Sequence, residues 1–280
     1  MSGAVGNGQV NFLDQPLSTL AFCWRLERRD GVALGLTSHD RDMVVAGFPY
    51  RAAPGLVPSA FSRGIGMEVE SMDLQGALSS DAISEEDMRA GRWDGAMLWL
   101  HLTQWEMPGE LWLELMRGTL GSVEQKGDAF SVELRGPNAV LGQPVIPETS
   151  PGCRARLGDN ACRVDLAGRQ YVVRVAAMEE EVVRVEGGGL SAGDYAFGTL
   201  RWMEGRNCGL TQSILANDTS SVTLADIPIF AVEVGTRALL TQGCDKRLES
   251  CRARFANAVN FRGEPYLPGS DLLTRYPGAF

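Results

Sequence analysis

The feature that most constrains this chain is its punctuation. Apolar or alternating segments of four to thirteen residues recur along it, bounded by Gly, Pro, Asp or Asn. Runs this short and this often interrupted read as strands rather than helices. In the first half they cover residues 19–26, 32–37, 43–50, 67–74, 96–105, 111–123 and 129–134. Met67-Glu68-Val69-Glu70 alternates, which marks a strand with one wetted face. Lys126-Gly127-Asp128 turns one strand into the next. Gly supplies 33 of 280 residues without a period, about 12% against a usual ~7%, which suits a chain of many turns. The predicted fold class is therefore mainly β. One helix start stands out near 84–91: Ser84 can cap, Glu85, Glu86 and Asp87 follow where the dipole favours negative charge, and Gly91 closes the segment.

The pattern breaks between Gly142 and Gly152, where Pro144, Pro147 and Pro151 oppose both helix and central strand. This predicts a β domain over 1–150 and a cysteine-rich β domain over 151–280. In the second, residues 170–175 and 182–186 read as a hairpin, and Glu179-Glu180-Glu181 as its solvated tip or an edge. Residues 197–203, 221–224 and 234–240 add strands. From Cys244 to Asn257 the period changes, and Leu248, Cys251 and Phe255 share one face of a helix. The Pro- and Gly-rich tail after Asn260 reads as an irregular arm docked by Phe261, Tyr266, Leu272 and Tyr276.

Composition excludes several function classes. Acidic residues outnumber basic ones, 35 to 26, for a net charge of −9, against a large phosphate-gripping surface. With 44% hydrophobic and 22% charged residues the chain can bury a core. It has no apolar run of 18 residues, so stable membrane insertion is not expected. Residues 1–11 lack the basic-then-apolar order of a secretory signal.

Six cysteines carry the chemistry: Cys23, Cys153, Cys162, Cys208, Cys244 and Cys251. Four form two pairs. Cys153 and Cys162 enclose eight residues, and Cys244 and Cys251 enclose six. Disulfides are rare in a reducing compartment, where a chain without a signal peptide is expected to be made. Zinc ligands usually come from tight knuckles with two to four intervening residues, so these loops are wide for zinc. Two residues seven apart on a straight helix stand ~10.5 Å apart along its axis. A shared centre therefore requires Cys244 to precede the helix. An iron–sulfur cluster tolerates varied spacings. Arg154, Arg156, Arg163, Arg247, Arg252 and Arg254 surround the thiols and would offset their charge. Spacing alone leaves zinc, a cluster and four ordinary buried cysteines open.

Longer strings go further. The second half contains Phe197-Gly198-Thr199-Leu200-Arg201-Trp202, Gly243-Cys244-Asp245-Lys246-Arg247, then Cys251, Phe255, Asn257, Asn260-Phe261-Arg262-Gly263 and Pro268-Gly269. The first half contains Leu36-Thr37-Ser38-His39-Asp40-Arg41-Asp42, residues 86–94, and Cys153-Arg154-Ala155-Arg156-Leu157-Gly158-Asp159. Over nearly its whole length the chain resembles the baseplate or tail-tip hub proteins of long-tailed phages and gene transfer agents. The resemblance implies a tail-tube or hub-like β domain at the N-terminus and a homotrimer. It places that trimer in the tail baseplate of a phage-like particle assembled in the bacterial cytoplasm. Expected neighbours are a distal tail protein ring, a central tip or fibre protein of the megatron type, and a tail-associated peptidase. DNA would pass through the channel without specific binding, which a negatively charged lumen favours. In a related phage tail-tip protein four similarly arranged cysteines hold a 4Fe–4S cluster. The resemblance thus implies Cys153, Cys162, Cys244 and Cys251 as cluster ligands, with zinc as the alternative, and a structural clip as their role.

The remaining candidates weigh less. His39 lies in a polar turn with Asp40 and Asp42, and His101 interrupts an apolar strand. Cys23 reads as core, and Cys208, near the cysteine domain, as a bystander whose alternative is a place among the ligands. Gly187-Gly188-Gly189 lacks the Lys and Ser/Thr of a phosphate loop. A cysteine peptidase would need Cys23 or Cys208 beside His39 or His101. An iron–sulfur enzyme would need an open iron. The reading is a structural protein without catalytic residues, and those two enzymes are its alternatives.

Overall fold

A computed structural model describes residues 19–53, 71–76, 84–126, 129–136, 146–186 and 190–267. The chain divides into two compact units, Met1–Val145 and Ile146–Phe280. Of the expected features, residues 67–70, the loop 187–189 and the tail from 268 onward lie outside the described residues.

The first unit is built on an eight-stranded sheet. Its strands are β1 (Leu20–Glu27), β2 (Ala33–Thr37), β3 (Met43–Val45), β4 (Phe48–Ala52), β5 (Ser71–Gly76), β6 (Met97–Gln104), β7 (Leu113–Lys126) and β8 (Ala129–Arg135). They lie in the order β3-β4-β2-β1-β6-β7-β8-β5, antiparallel except for β2 beside β4. The single strand expected over 43–50 is instead the β3–β4 hairpin. Ala46 and Gly47 both have positive φ, 49° and 80°, which is the primed turn that matches strand twist.

β1 is central, with both edges paired, and both of its faces are covered. Trp24 and Leu26 join Leu36, Met88, Trp93, Leu98, Leu100 and Met116 in one core. Ala21 and Cys23 join Met43, Val45 and Tyr50 in a second. Period-2 geometry sends alternate residues to opposite faces, and apolar side chains at both sets of positions give the strand two cores. The helix α1 (Glu85–Arg89) is short. Ser84 Oγ accepts the Asp87 N–H at 3.1 Å, and Met88 carries the helix into the first core.

The second unit is a closed six-stranded barrel. Its strands are β9 (Gln170–Glu179), β10 (Val182–Val185), β11 (Thr199–Trp202), β12 (Thr211–Asn217), β13 (Ser221–Leu224) and β14 (Arg237–Thr241). They close in the order β10-β13-β12-β11-β14-β9. Val173, Val175, Val183, Leu200, Trp202, Ile214, Val222, Leu224 and Leu240 fill the interior. Burying side chains of this size contributes roughly 1.5–3 kcal/mol each. The Glu179–Glu181 run is the tip of the β9–β10 hairpin, with Glu180 at φ 54°.

Two expectations change here. β12 is a strand where the sequence suggested none, because a register shift between Ile214 and Ala216 breaks its alternation. The helix expected over 244–257 shortens to α2 (Leu248–Ala253). Lys246 has a positive φ of 64°, which stops the helix from starting earlier, and Arg254 caps its end. Among the described residues no helix is long and apolar enough to cross a membrane.

Candidate functional site

The cysteine site is assembled from both ends of the second unit. Its base is a close crossing of backbones. A Cβ on Gly243 would lie 1.8 Å from the Ala196 carbonyl oxygen and 2.3 Å from Gly198 N. A Cβ on Gly198 would meet the Thr241 carbonyl oxygen at 2.2 Å. Only glycine fits either position, which gives the Phe197-Gly198-Thr199 and Gly243-Cys244 strings a physical reason. Cys244 therefore leaves the barrel directly from the end of β14 and precedes α2, while Cys251 sits within α2.

The other pair approaches from residues 150–163. The Cys153 N–H donates to the Lys246 carbonyl at 2.9 Å, and the Arg154 N–H to the Arg262 carbonyl at 3.0 Å. The Glu264 N–H donates to the Ser150 carbonyl at 2.8 Å. Arg154 grips the Glu264 carboxylate with both terminal nitrogens, at 2.6 and 2.8 Å. The Arg154 bond, followed by the Ser150 N–H, holds the Glu264 carboxyl down to about 2. Gly263 completes the crossing, since a Cβ there would stand 2.5 Å from the Gly152 carbonyl oxygen.

Within the Cys153–Cys162 loop Asp159 is the organiser. Its Oδ1 accepts the Ala161 and Cys162 N–H groups at 2.9 and 2.7 Å, and its Oδ2 the Arg156 N–H at 2.8 Å. These bonds, led by the one from Cys162, lower its carboxyl. On the other side, Asp245 takes the Arg247 N–H at 3.0 Å and the Ser250 hydroxyl at 2.7 Å, steadying α2.

All four thiols of the two pairs belong to one electrostatic neighbourhood. Burial raises the Cys251 thiol, and Cys153, Cys244 and Cys162 raise it further by charge repulsion. Two N–H groups point at sulfur. The Arg262 backbone N–H donates to Cys153 Sγ at 3.4 Å, and the Asn257 side-chain amide to Cys162 Sγ at 3.6 Å. Cys162 and Cys251 are buried; Cys153 and Cys244 are half-buried. Among the described residues no group of three or more His, Cys, Asp or Glu side chains is arranged to hold a single metal ion. The convergence therefore rests on this coupling and on the shared backbone frame.

Two of the six arginines near the thiols also bind other groups. Arg154 grips Glu264. Arg254 pairs with Asp194 and donates to the Gly243 carbonyl, and with Arg169 it flanks the Phe255 ring. Those contacts fasten α2 to the barrel.

The other candidates fall elsewhere. Cys208 lies in the β11–β12 turn and donates to the Met203 carbonyl at 3.2 Å. That turn is at the Trp202 end of β11, whereas Cys244 follows Thr241, which pairs with Thr199 at the other end. Cys208 is thus not beside the four thiols. Cys23 is fully buried, its thiol pushed up to about 11 by burial, which disfavours the thiolate a peptidase needs. His39 Nδ1 accepts the Arg41 N–H at 3.0 Å and so serves its turn. His101 stacks on Trp112 at 4.3 Å. Its Nδ1 is buried without a hydrogen-bond partner among the described residues, so it is less satisfied than expected for a strand residue.

Asn257 stands in the string that follows Cys251, with no role apparent from its residue type alone. Its signal was a polar residue two positions after Phe255 on the buried side of the cysteine segment.

Comparison with known proteins bears on the whole chain. Residues 9–165 match the family described as baseplate hub protein, N-terminal attachment domain. Residues 193–271 match the family described as phage conserved hypothetical protein BR0599. Each match takes one cysteine pair. No curated protein matches the chain. A chain in the virion of a native gene transfer agent particle is 34% identical, with a TM-score of 0.83, over 98% of this chain and 97% of that one. With its N-terminal half matched by the hub model and its full length by a virion chain, this protein belongs to the baseplate hub family of phage-like tails.

Proposed function

We propose that this protein works as a trimeric hub in the tail baseplate of a gene-transfer-agent-like particle. It would join the distal tail ring to a central tip protein and line part of the DNA passage. The observation that carries this reading is the end-to-end similarity to a virion chain, at 34% identity and with few residues of either chain unmatched. Its role is geometric rather than catalytic. Cys23, one of the two cysteines a peptidase would need, is fully buried, as its place in an apolar strand predicts.

In this reading Cys153, Cys162, Cys244 and Cys251 hold a 4Fe–4S cluster. Three thiols close enough to act on the Cys251 thiol, and N–H donors to two of the four sulfurs, support this reading, because such a group is held by four thiolates. When bound, the cluster supplies four iron–thiolate bonds across a loop of about 90 residues. The chain's own contribution is to bring both ends of the second unit to one point, through the Gly198–Gly243 and Gly152–Gly263 crossings. Linking distant segments in this way couples metal binding to folding.

The test is genetic and structural together. Deleting the gene in a producing strain should yield filled heads whose tails lack a closed tip and deliver no DNA, and the intact gene should restore both. Deletion particles with normal tips would end the hub proposal.

A further inference from the structure

One buried residue touches one cysteine of each pair, Cys162 through its side chain and Cys251 through its backbone. Asn257 is 8% exposed. Its amide nitrogen donates to the Cys162 carbonyl at 2.6 Å and reaches the Cys162 sulfur at 3.6 Å. Its backbone N–H donates to the Cys251 carbonyl at 3.0 Å. Its side-chain oxygen accepts from the Asn260 amide at 2.7 Å. The orientation of the amide follows from chemistry. A carbonyl only accepts, so the face toward Cys162 must be the NH2, and the oxygen is left for Asn260. The same constraint presents an N–H to the Cys162 sulfur.

We infer that Asn257 is the positioning residue of the cysteine site: it sets Cys162 against Cys251 and supplies an N–H···S bond to the Cys162 thiolate. The inference rests on the reading of the four cysteines as cluster ligands. Three of the contacts are between protein groups and exist without a cofactor; the fourth matters once the thiolate forms. Aspartate has nearly the same shape but offers no amide donor, and it would set a carboxylate against a carbonyl and a thiolate. Alanine removes the donor and leaves the Cys162 carbonyl unpaired.

The effect on a bound cluster has a definite sign. Donors to the sulfurs favour the more negative, reduced state, so losing one lowers the reduction potential. Partners that orient a ligand typically contribute about 10–100-fold to metal affinity. Asn260 acts one step further out: it holds the amide oxygen but touches no cysteine in the described contacts.

The experiment uses the full chain, purified anaerobically, as wild type, Asn257→Asp, Asn257→Ala and Asn260→Ala. Iron and sulfide content, resistance to a chelator and the midpoint potential are measured on each. The expected result is a 10–100-fold faster loss of iron to chelator in both Asn257 variants. Any cluster that remains should titrate at a more negative potential, and Asn260→Ala should give a smaller shift of the same sign. A role confined to packing would leave the potential unmoved. Asn257 variants that retain iron and titrate like wild type would overturn the inference. If they fail to fold, Asn260→Ala decides: a negative shift supports the inference, and an unchanged potential defeats it. If wild type itself carries no iron, the cluster reading fails separately. The positioning role is then read by amide hydrogen exchange in Asn257→Ala: loss of protection at both Cys162 and Cys251 sustains it, and loss at neither removes it.

Discussion

Gly243→Ala is the sharpest perturbation of the cysteine site that touches no cysteine. The added methyl carbon would lie 1.8 Å from the Ala196 carbonyl oxygen, 2.3 Å from Gly198 N and 2.4 Å from the Phe197 carbonyl carbon. Overpacking against movable side chains costs about 1–3 kcal/mol. Here all three obstacles are backbone atoms, so the β11–β14 end must part and the cost falls at the upper limit, about 3 kcal/mol. That corresponds to a rise of roughly 100-fold in the opening equilibrium. Amide exchange at β11 and β14, which pair over residues 199–202 and 238–241, reads the opening directly. The control is Gly168→Ala, where nothing lies within 4 Å and φ is not in the left-handed region. It should be neutral or stabilising by about 0.4–1 kcal/mol. Exchange in Gly243→Ala within threefold of wild type would show that the crossing is not the constraint described.

Further predictions concern the site and both units. If the four cysteines hold a cluster, anaerobically purified protein should be brown with iron and sulfide, and replacing any one of Cys153, Cys162, Cys244 or Cys251 by Ser should bleach it and open the chain to protease after about Pro151. Cys208→Ser should leave metal content unchanged, and iron loss there would mean one ligand is misassigned. The Glu264 carboxyl is lowered from 4.5 to about 2, so the stabilisation it brings is complete above pH 4.5 and lost as pH falls toward 2. Glu264→Gln should flatten that acid limb in urea titrations; an unchanged limb would refute the pairing with Arg154. Burial lowers His101, so the folded state resists its protonation and stability falls as pH drops below its ordinary value of 6.5. His101→Phe keeps the stack on Trp112 and should remove this dependence between pH 7 and 5, as thermal melts would show.

Much of the fold was legible because the signal for a strand is local. β1, β2, β6 and β8 fall where apolar runs end in turn residues, and α1 starts where Ser84 and three acidic residues predict it. What was missed lay in backbone geometry that residue type does not signal. The β3–β4 hairpin turns at Ala46-Gly47, and alanine at positive φ is not a turn signal. β12 lost its period to a bulge that is visible only in its register against β13. The cysteine segment looked helical for longer than it is, because Leu248, Cys251 and Phe255 keep a helical spacing past the end of α2.

The site was legible in its residue types and hidden in its frame. Spacing singled out the two cysteine pairs but could not show that Gly198 and Gly243 touch. Nor could it show that Arg154 also grips Glu264, 110 residues away, or that Arg254 pairs with Asp194 on the barrel side. Asn257 looked like one polar residue among several until its contacts with Cys162 and Cys251 were in view.

The most direct test of the account is a cryo-electron microscopy map of the intact particle, prepared without oxygen. The account predicts three copies of this chain around the tail axis at the baseplate, each with compact extra density bounded by the sulfurs of Cys153, Cys162, Cys244 and Cys251. Six copies, a single peripheral copy, or four thiols with nothing between them would contradict it.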